Sequence, residues 1–584
     1  MQRIFAIVLT FVTMLTNGLF GFFGLVRPGS TVNGELDLLF RPVAAAGTVY
    51  VIDRAQLSAE EYEATVFLQG VTAQKEAAIY VTEAGLRNTF LENYQLQYNS
   101  QNVQFDSSIT EFWALVEHFK EAFGGKFVTY GSTADANDPT ICMAATIAGA
   151  DGIPGIPASL REAALAHGLT EVRDLREVTG SFAEKQRKIF LEYKDKLANK
   201  RVLGHYSNQS VQGRDFCIAQ GAFQFYTHDL GSDTLHFVED RAFRHEVFAW
   251  ADSSALMIGF WGTDDEGAFI KDISHYGKTI LPARTPNGST QFALGGPATL
   301  TQPTRAAEKS TTAEGKHTIA LYLTDGDNLA WVEGSGGVCA PYNTMLGPRR
   351  ASGDTFKMSF SVSPLLHTMM PMVSAYYYDN NDNYGMGLYD EYIGSVGGNS
   401  NMYTTQFPAQ TLKDVAKQTA QAMERMDLHV FTPMDQLLAT PLMFFGVGTQ
   451  RVINEFSQYE TIRGGLWQLD PPHYNGGGGT VYWSSNGKPW ITVRTSLWAP
   501  DDSHDTCTPE WLESLAEEIN NRSRDTHKID GYTVIAIHPW SIYYEDVQYF
   551  VRQLDPEKVQ IVSAEELVDL VAENVPHRFA VPLG

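Results

Sequence analysis

The chain has 584 residues, a formal net charge of −25 and a sequence pI near 5.0. That length excludes one ordinary core and leads us to expect two to four domains of roughly 150 residues, or two if one is a large barrel. The acidic balance excludes nucleic acid as a partner, because no basic surface exists to displace its counterions, and favours a neutral or cationic ligand. Aromatic residues make up 12% of the chain, with 10 Trp and 26 Tyr; such rings stack on sugars and fill cores equally well.

In chain order, Arg3 is followed by an apolar stretch from Ile4 to Val26. Residues 1–30 therefore read as a signal peptide, or as an uncleaved membrane anchor, since the stretch is long enough to span a bilayer. The remainder is expected to be secreted or on the cell surface, touching a membrane only through that anchor. Residues 40–294 alternate strand-like runs ("GTVYVID", "AAIYVTE", "KFVTYG", "ALMIGFWG") with helical patterns such as "EFWALVEHFKEAFG", the layout of an open α/β domain. Four cysteines, at 142, 217, 339 and 507, permit the pairs Cys142–Cys217 and Cys339–Cys507 and equally four free thiols. Residues 295–317, "GGPATLTQPTRAAEKSTTAEGKH", have the Gly, Pro, Ser and Thr content of an interdomain linker.

From 318 to 584 the alternation resumes, with strands expected at Thr318 to Thr324, Phe356 to Phe360, Val373 to Tyr378, Leu428 to Phe431, Trp490 to Arg494, Tyr532 to Ile537 and Val559 to Val562. About seven β/α units in this length predict a (β/α) barrel, complete or seven-stranded. Loops after the strands form the active face of such a barrel, and here they carry acids, amides, His and Trp. They supply Asp325, Asp327 and Asn328, then Ser363 and His367, then Asp379, Asn380 and Asp382. Further on come Asp435, Trp498, Asp501, Asp502 and His504, and finally His538 and Trp540. Any one of these loops is explained by turn and cap chemistry; their recurrence is what points to a site. Asp325 directly follows a run expected to be buried, and burial would raise its pKa toward acid/base use.

The sequence has no closely spaced His pair, G-x-S-x-G elbow, P-loop or dinucleotide fingerprint, and the calcium-loop frame starting at Asp325 meets Gly336 where it needs Glu. No metal or cofactor is therefore assigned.

Several stretches together resemble the GxGYxYP-motif glycoside hydrolases: "VFLQGV", "LYLTDGDNLAW", "SVSPLL", "NGKPWITVR" and "GYTVIAIHPWSIYYEDVQYFVRQL". The likeness runs from about residue 47 to 575. The naming motif is not spelled out; at its place stands "IGSVGGNSNMYTTQFP", with Gly398, Tyr403 and Pro408 as candidate remnants. The resemblance implies a carbohydrate-processing hydrolase and matches Asp325, Asp327 and Asn328. The last units also look like the polysaccharide deacetylase barrel, whose metal site Asp325, Asp327 and His538 would imitate without the His pair.

The expectation is thus an exported two-domain protein that cleaves glycosidic bonds, a reaction needing one protonated and one ionised carboxyl group. Asp325, Asp327, Asp382, Glu391 and His538 are the candidate catalytic residues, with Asn328, Asp379, Trp498, His504 and Trp540 binding the carbohydrate. A non-catalytic carbohydrate-binding surface protein and a metal-dependent deacetylase are the alternatives.

Overall fold

Short apolar runs followed by deliberately capped helices fold this chain into parallel sheets. Ser58, Ser181 and Ser563 each open a helix with a capping box closed by the Glu three residues on (Glu61, Glu184 and Glu566), so the first free backbone N–H groups are satisfied at once. The computed structural model describes residues 35–577 except 84–85, 99–102, 229–233, 262–265, 303–309, 313, 334–340, 379–386, 437–446 and 471–472. The expected signal or anchor (1–30), Cys339, Asp379, Asn380 and Asp382 lie outside the described residues. Among the described residues no helix is long and apolar enough to cross a membrane.

Among the described residues the first half contains ten strands: β1 (Ala44–Asp53), β2 (Glu76–Thr82), β3 (Gln104–Asp106), β4 (Lys126–Tyr130), β5 (Gly155–Pro157), β6 (Thr170–Asp174), β7 (Asn199–His205), β8 (Ala222–Phe225), β9 (Leu256–Gly259) and β10 (Thr279–Pro282). They form three all-parallel sheets, ordered β2-β1-β3, β5-β4-β6 and β10-β9-β7-β8. Helices cover them, as parallel strands require.

The second half contributes β11 (His317–Leu323), β12 (Met358–Val362), β13 (Asp390–Gly394), β14 (Val430–Phe431), β15 (Met434–Gln436), β16 (Gly464–Asp470), β17 (Val481–Trp483), β18 (Pro489–Thr492), β19 (Thr495–Leu497), β20 (Tyr532–Ile537) and β21 (Val559–Val562). They build one curled half-barrel sheet, ordered β17-β18-β16-β14-β13-β12-β11-β20-β19 and parallel except at β17. Its two sides share one stretch of chain. Thr492 pairs with Trp467 of β16, Val493 N–H donates to Trp467 O, Arg494 N–H donates to Val534 O, and Thr495 pairs with Ile535 of β20. β11 is buried along its whole length, which explains its uninterrupted apolar run.

Three sequence expectations are corrected. Val373 to Tyr378 is not a strand but part of the helix Pro371–Tyr378, buried all round; a short apolar run with no polar face fits a buried helix as well as a strand, and Pro371 sits where a helix start tolerates it. The third strand of the sheet is instead β13, "DEYIG", and β16, "GGLWQLD", was not among the expected strands. A Cβ on Gly464 would stand 2.3 Å from Pro489 O, and one on Gly465 2.6 Å from the Trp490 ring, so those glycines admit the neighbouring strand. Cys142, Cys217 and Cys507 are free thiols, so no Cys142–Cys217 bridge forms.

The two halves are packed together. One hydrophobic cluster joins Leu36, Phe90, Val202, Leu256 and Leu281 to Ile319, Leu321, Tyr376 and Trp490. Ile280 of β10 exchanges both backbone hydrogen bonds with Asn401, at 3.1 and 2.9 Å. Where the linker was expected, Leu300 N–H donates to Arg425 O, and the buried Gln302 amide bonds Tyr392 and Asp427.

Candidate active site

The turn "DGDN" leaves β11 with its four residues in four roles. Asp325 adopts a left-handed backbone (φ 64), a conformation Asp tolerates better than most residues. Gly326 lies so close to β12 that an added Cβ would meet Ser361 O at 1.6 Å; its N–H donates to Ser361 Oγ at 3.2 Å and its carbonyl accepts from Ser363 N–H at 2.9 Å. Asp327 accepts from Asn401 Nδ2 at 3.0 Å. Asn328 caps the helix Leu329–Glu333, its Oδ1 accepting from Ala330 N–H at 3.1 Å. That capping role, expected as the alternative for Asn328, ties the turn to the helix.

Around this turn the structure assembles carboxylates from distant parts of the chain. Glu266 opens the helix Glu266–His275 of the first half, and Asp470 ends β16. Burial pushes Asp327 up to about 6. Burial and then the Asp327 charge push Asp325 up to about 7. Glu266 is reached by solvent but ringed by protein, and burial followed by the charges of Asp327, Asp325 and Asp470 pushes it up to about 8. Asp470 is raised by burial, opposed by His473. Tyr474 faces Asp325, Glu266, Asp327 and Asp470; burial, then their charges, hold its phenol far above the usual range. Among the described residues, no Arg or Lys forms an ion pair with any of these four acids.

The site's other wall is a stack of rings. His538 Nε2 stands 3.9 Å from Asp325 Oδ2, too far for a hydrogen bond, while its Nδ1 meets Ser541 Oγ at 2.9 Å. Burial lowers His538 to about 3, so the imidazole is neutral beside Asp325. Trp498 lies parallel to His538 (centroids 3.5 Å apart, 2°) and to His473 (4.8 Å, 11°). Two rings that close and parallel would collide on one face, so they occupy opposite faces of the indole. Trp498 therefore has no free face on which a sugar could stack; its indole N–H donates to Asp502 and its edge meets Tyr474. The accessible aromatic surface is Trp540, 37% exposed and standing on edge against Trp331 at 4.2 Å.

Four of the six non-glycine residues with positive φ among the described residues, Asp325, His473, Tyr474 and Asp502, belong to this region. Such conformations cost about 1–3 kcal/mol each and gather where a site dictates side-chain direction.

The loop in place of the naming motif completes the cleft. Asn401 holds Asp327; Tyr403 N–H donates to Ser274 Oγ at 2.9 Å, and its phenol, raised first by burial, senses the charges of Glu266, Asp470 and Asp435. Asp435, fully buried and pushed up to about 6 by burial, accepts from Thr404 Oγ1 (2.6 Å), Thr405 Oγ1 (2.7 Å) and Thr405 N–H (3.1 Å). It fastens that loop.

The structure thus brings Asp325, Asp327, His538 and Trp498 together, with Asn328 and Trp540 adjoining. It does not bring Glu391 there: its Oε1 accepts from Glu565 N–H at 3.0 Å, at the start of the last helix. His504 is held by Asp546 at 3.0 Å and stacked on Tyr543, and His367 is enclosed between Ser374 Oγ and Pro297 O. Sequence reasoning missed Glu266, Asp470, Tyr474 and Asn401, and named Tyr403 only as a remnant of the family motif. Glu266, after "WGTDD" at the end of β9, carried the same signal of acids past a strand that pointed to Asp325. Among the described residues, no three His, Cys, Asp or Glu converge closely enough to hold a metal ion.

A mixed α/β protein with a half-barrel sheet whose strand ends, together with one helix of the first half, gather a cluster of acids is the class defined by these features. Residues 315–572 match the model of the "GxGYxYP putative glycoside hydrolase C-terminal domain", and residues 48–121 match the first, N-terminal domain of that family. The chain belongs to the GxGYxYP family. It is also similar to a solved structure described as a "putative hydrolase from Bacteroides thetaiotaomicron VPI-5482", with a TM-score of 0.77 and 22% identity over 91% of this chain and 96% of that one; at that identity the likeness concerns the fold. No curated protein matches the chain.

Proposed function

We propose that this protein is an exported glycoside hydrolase that cleaves its substrate between Glu266 and Asp327. The reading takes residues 40–294 and 318–584 as two domains, and the second as a seven-stranded barrel closed through residues 489–497. The apolar segment Ile4 to Val26 supports export. The observation that carries the catalytic part is that Glu266, from a helix of the first half, comes within electrostatic reach of the turn that holds Asp325 and Asp327. Burial raises all three; the Asn401 amide supports the Asp327 carboxylate, whose charge raises Asp325 and, together with that of Asp325, raises Glu266 to about 8. As the acids interact, their ionisation belongs to the cluster as a whole. At neutral pH one wall of the cleft offers a carboxylate and the other a carboxylic acid, the pair glycosidic cleavage needs.

In this reading the Glu266 carboxyl proton passes to the glycosidic oxygen as the C–O bond breaks. The Asp327 carboxylate attacks the anomeric carbon or takes a proton from the attacking water. Asp325 tunes both through its charge, with the neutral His538 beside it orienting a hydroxyl or water. Trp540 and Trp331 supply the surface against which a ring stacks.

The test is release of reducing ends from a panel of glycans by the native protein, Glu266→Gln and Asp327→Asn. Turnover by the native chain and its loss, on the order of 10²-fold or more, in both folded variants is expected. Undiminished turnover in both would overturn the assignment. Binding without cleavage of any glycan would indicate a carbohydrate-binding protein, and acetate release lost on chelation a deacetylase.

A further inference from the structure

The loops that leave β19 and β20 run side by side away from the acids, and what they display deepens the reading above, on which it rests. They meet first where Trp498 lies on His538, beside Asp325, and then where Ala499 N–H donates to Ser541 Oγ at 3.1 Å. They meet last where His504 lies on Tyr543, with centroids 3.8 Å apart and planes 16° from parallel. Asp546 holds His504 in turn, its Oδ2 standing 3.0 Å from Nε2. Of residues 539–543 the turn buries Pro539, Ser541 and Ile542 and directs outward only Trp540 and Tyr543, 37% and 48% exposed. Turn residues that face water are ordinarily small or polar, so two large rings in one short turn point to a ligand. Both rings are braced: Trp540 on edge against Trp331, in the helix that Asn328 caps, and Tyr543 by the His504 ring beneath it. Rings held in this way lose little freedom when a ligand settles on them.

We propose that Trp540 and Tyr543 are successive stacking positions for one glycan chain leading out of the site, so that the substrate is an oligo- or polysaccharide and not a small glycoside. Three residues of backbone span at most about 11 Å, so neighbouring units of one chain reach both rings. The exposed carboxylates of Asp501, Asp502, Asp505 and Glu545, in and beside the same two loops, accept hydrogen bonds from sugar hydroxyls. Two aromatic side chains bury about 300–500 Å² at most, well short of the roughly 1,200 Å² of a stable protein interface. A narrow chain therefore fits the patch and a folded partner does not. His504 acts through Tyr543, as the support of its ring.

The experiment is calorimetric titration of Glu266→Gln, which prevents turnover, with cello-, xylo- and manno-oligosaccharides of two and of six units. In at least one series the six-unit chain is expected to bind about tenfold or more tighter than the two-unit one. Adding Tyr543→Ala should remove most of that gain while the two-unit affinity stays within about twofold, and adding Tyr543→Phe, which keeps the ring, should retain it. His504→Ala, which takes away the supporting ring, serves if Tyr543→Ala fails to fold. No gain with length in any series, or a gain that these variants leave intact, overturns the proposal. So does self-association of the native protein that Tyr543→Ala abolishes in sedimentation, which would assign the rings to a second copy. If small glycosides are cleaved as fast as six-unit chains, this inference fails while the hydrolase reading stands; if six-unit chains bind through Tyr543 and none is cleaved by the native protein, the reverse holds.

Discussion

His538 lies flat on Trp498, with ring centroids 3.5 Å apart and planes 2° from parallel, while its Nε2 stands 3.9 Å from Asp325 Oδ2. The indole thus fixes the imidazole's plane, and the imidazole faces the acid edge-on. Trp498→Ala is expected to remove the support of both His538 and His473 and to lower stability by about 2–4 kcal/mol. Trp540→Ala, on an exposed ring, should leave the melting temperature unchanged and weaken glycan binding about tenfold. Chemical denaturation and a binding titration on the two variants check this; similar effects of both would refute the division between a structural and a sugar-facing Trp.

The acids make stability depend on pH with a definite sign. Asp327, Asp325 and Glu266 are raised to about 6, 7 and 8, so between roughly pH 4 and pH 8 the folded state holds protons that the unfolded chain has released. Their contribution is fully present below about pH 4 and is lost as pH rises through those values. Asp325→Asn removes one such group and should raise the melting temperature by about 1–3 °C at pH 8 and not at pH 4.5. Calorimetry at the two pH values reads it, and an equal effect at both would contradict the burial of Asp325.

Activity should trace the same ladder. A bell-shaped profile is expected, its acid limb set by ionisation of Asp327 near 6 and its alkaline limb by Glu266 near 8. Glu266→Gln should lose the alkaline limb together with on the order of 10²–10⁴ in kcat. A variant that keeps the limb would assign the proton to another group.

Gly326→Ala tests the turn itself. The new methyl would stand 1.6 Å from Ser361 O, which forces β11 and β12 apart where the site begins. A loss exceeding about 4 kcal/mol, or no soluble protein, is expected. A variant of native stability would show that the turn relaxes at little cost.

Much of this architecture was legible in the residues, and the failures have physical causes. β20 and β21 were read to the residue, and β11 to within one; β11 and β20 are buried along their whole length and so leave a nearly continuous apolar run bounded by turn residues, whereas β21 is half-buried. The same criterion misread Val373 to Tyr378, since a helix buried on every side loses its period. Asp325 was found from its place after a strand. Glu266 and Asp470 were not: Asp470 ends a strand that was itself not read, and Glu266, although it follows a strand, reaches the Asp325–Asp327 turn only through the packing of the two halves, which no local pattern reports. Asn401 and Tyr403, from the stretch that stands in place of the naming motif, lie beside the acids.

The construction of the cleft also sets the moment at which it can come into being. Glu266 leaves the ribosome 272 positions before His538 (538 less 266), a delay of some tens of seconds at roughly 5–20 residues per second. Until β20 has been synthesised and inserted beside β11, Asp325 has no His538 beside it and the half-barrel has no far edge. A nascent or truncated chain thus carries individual acids without the assembled cluster.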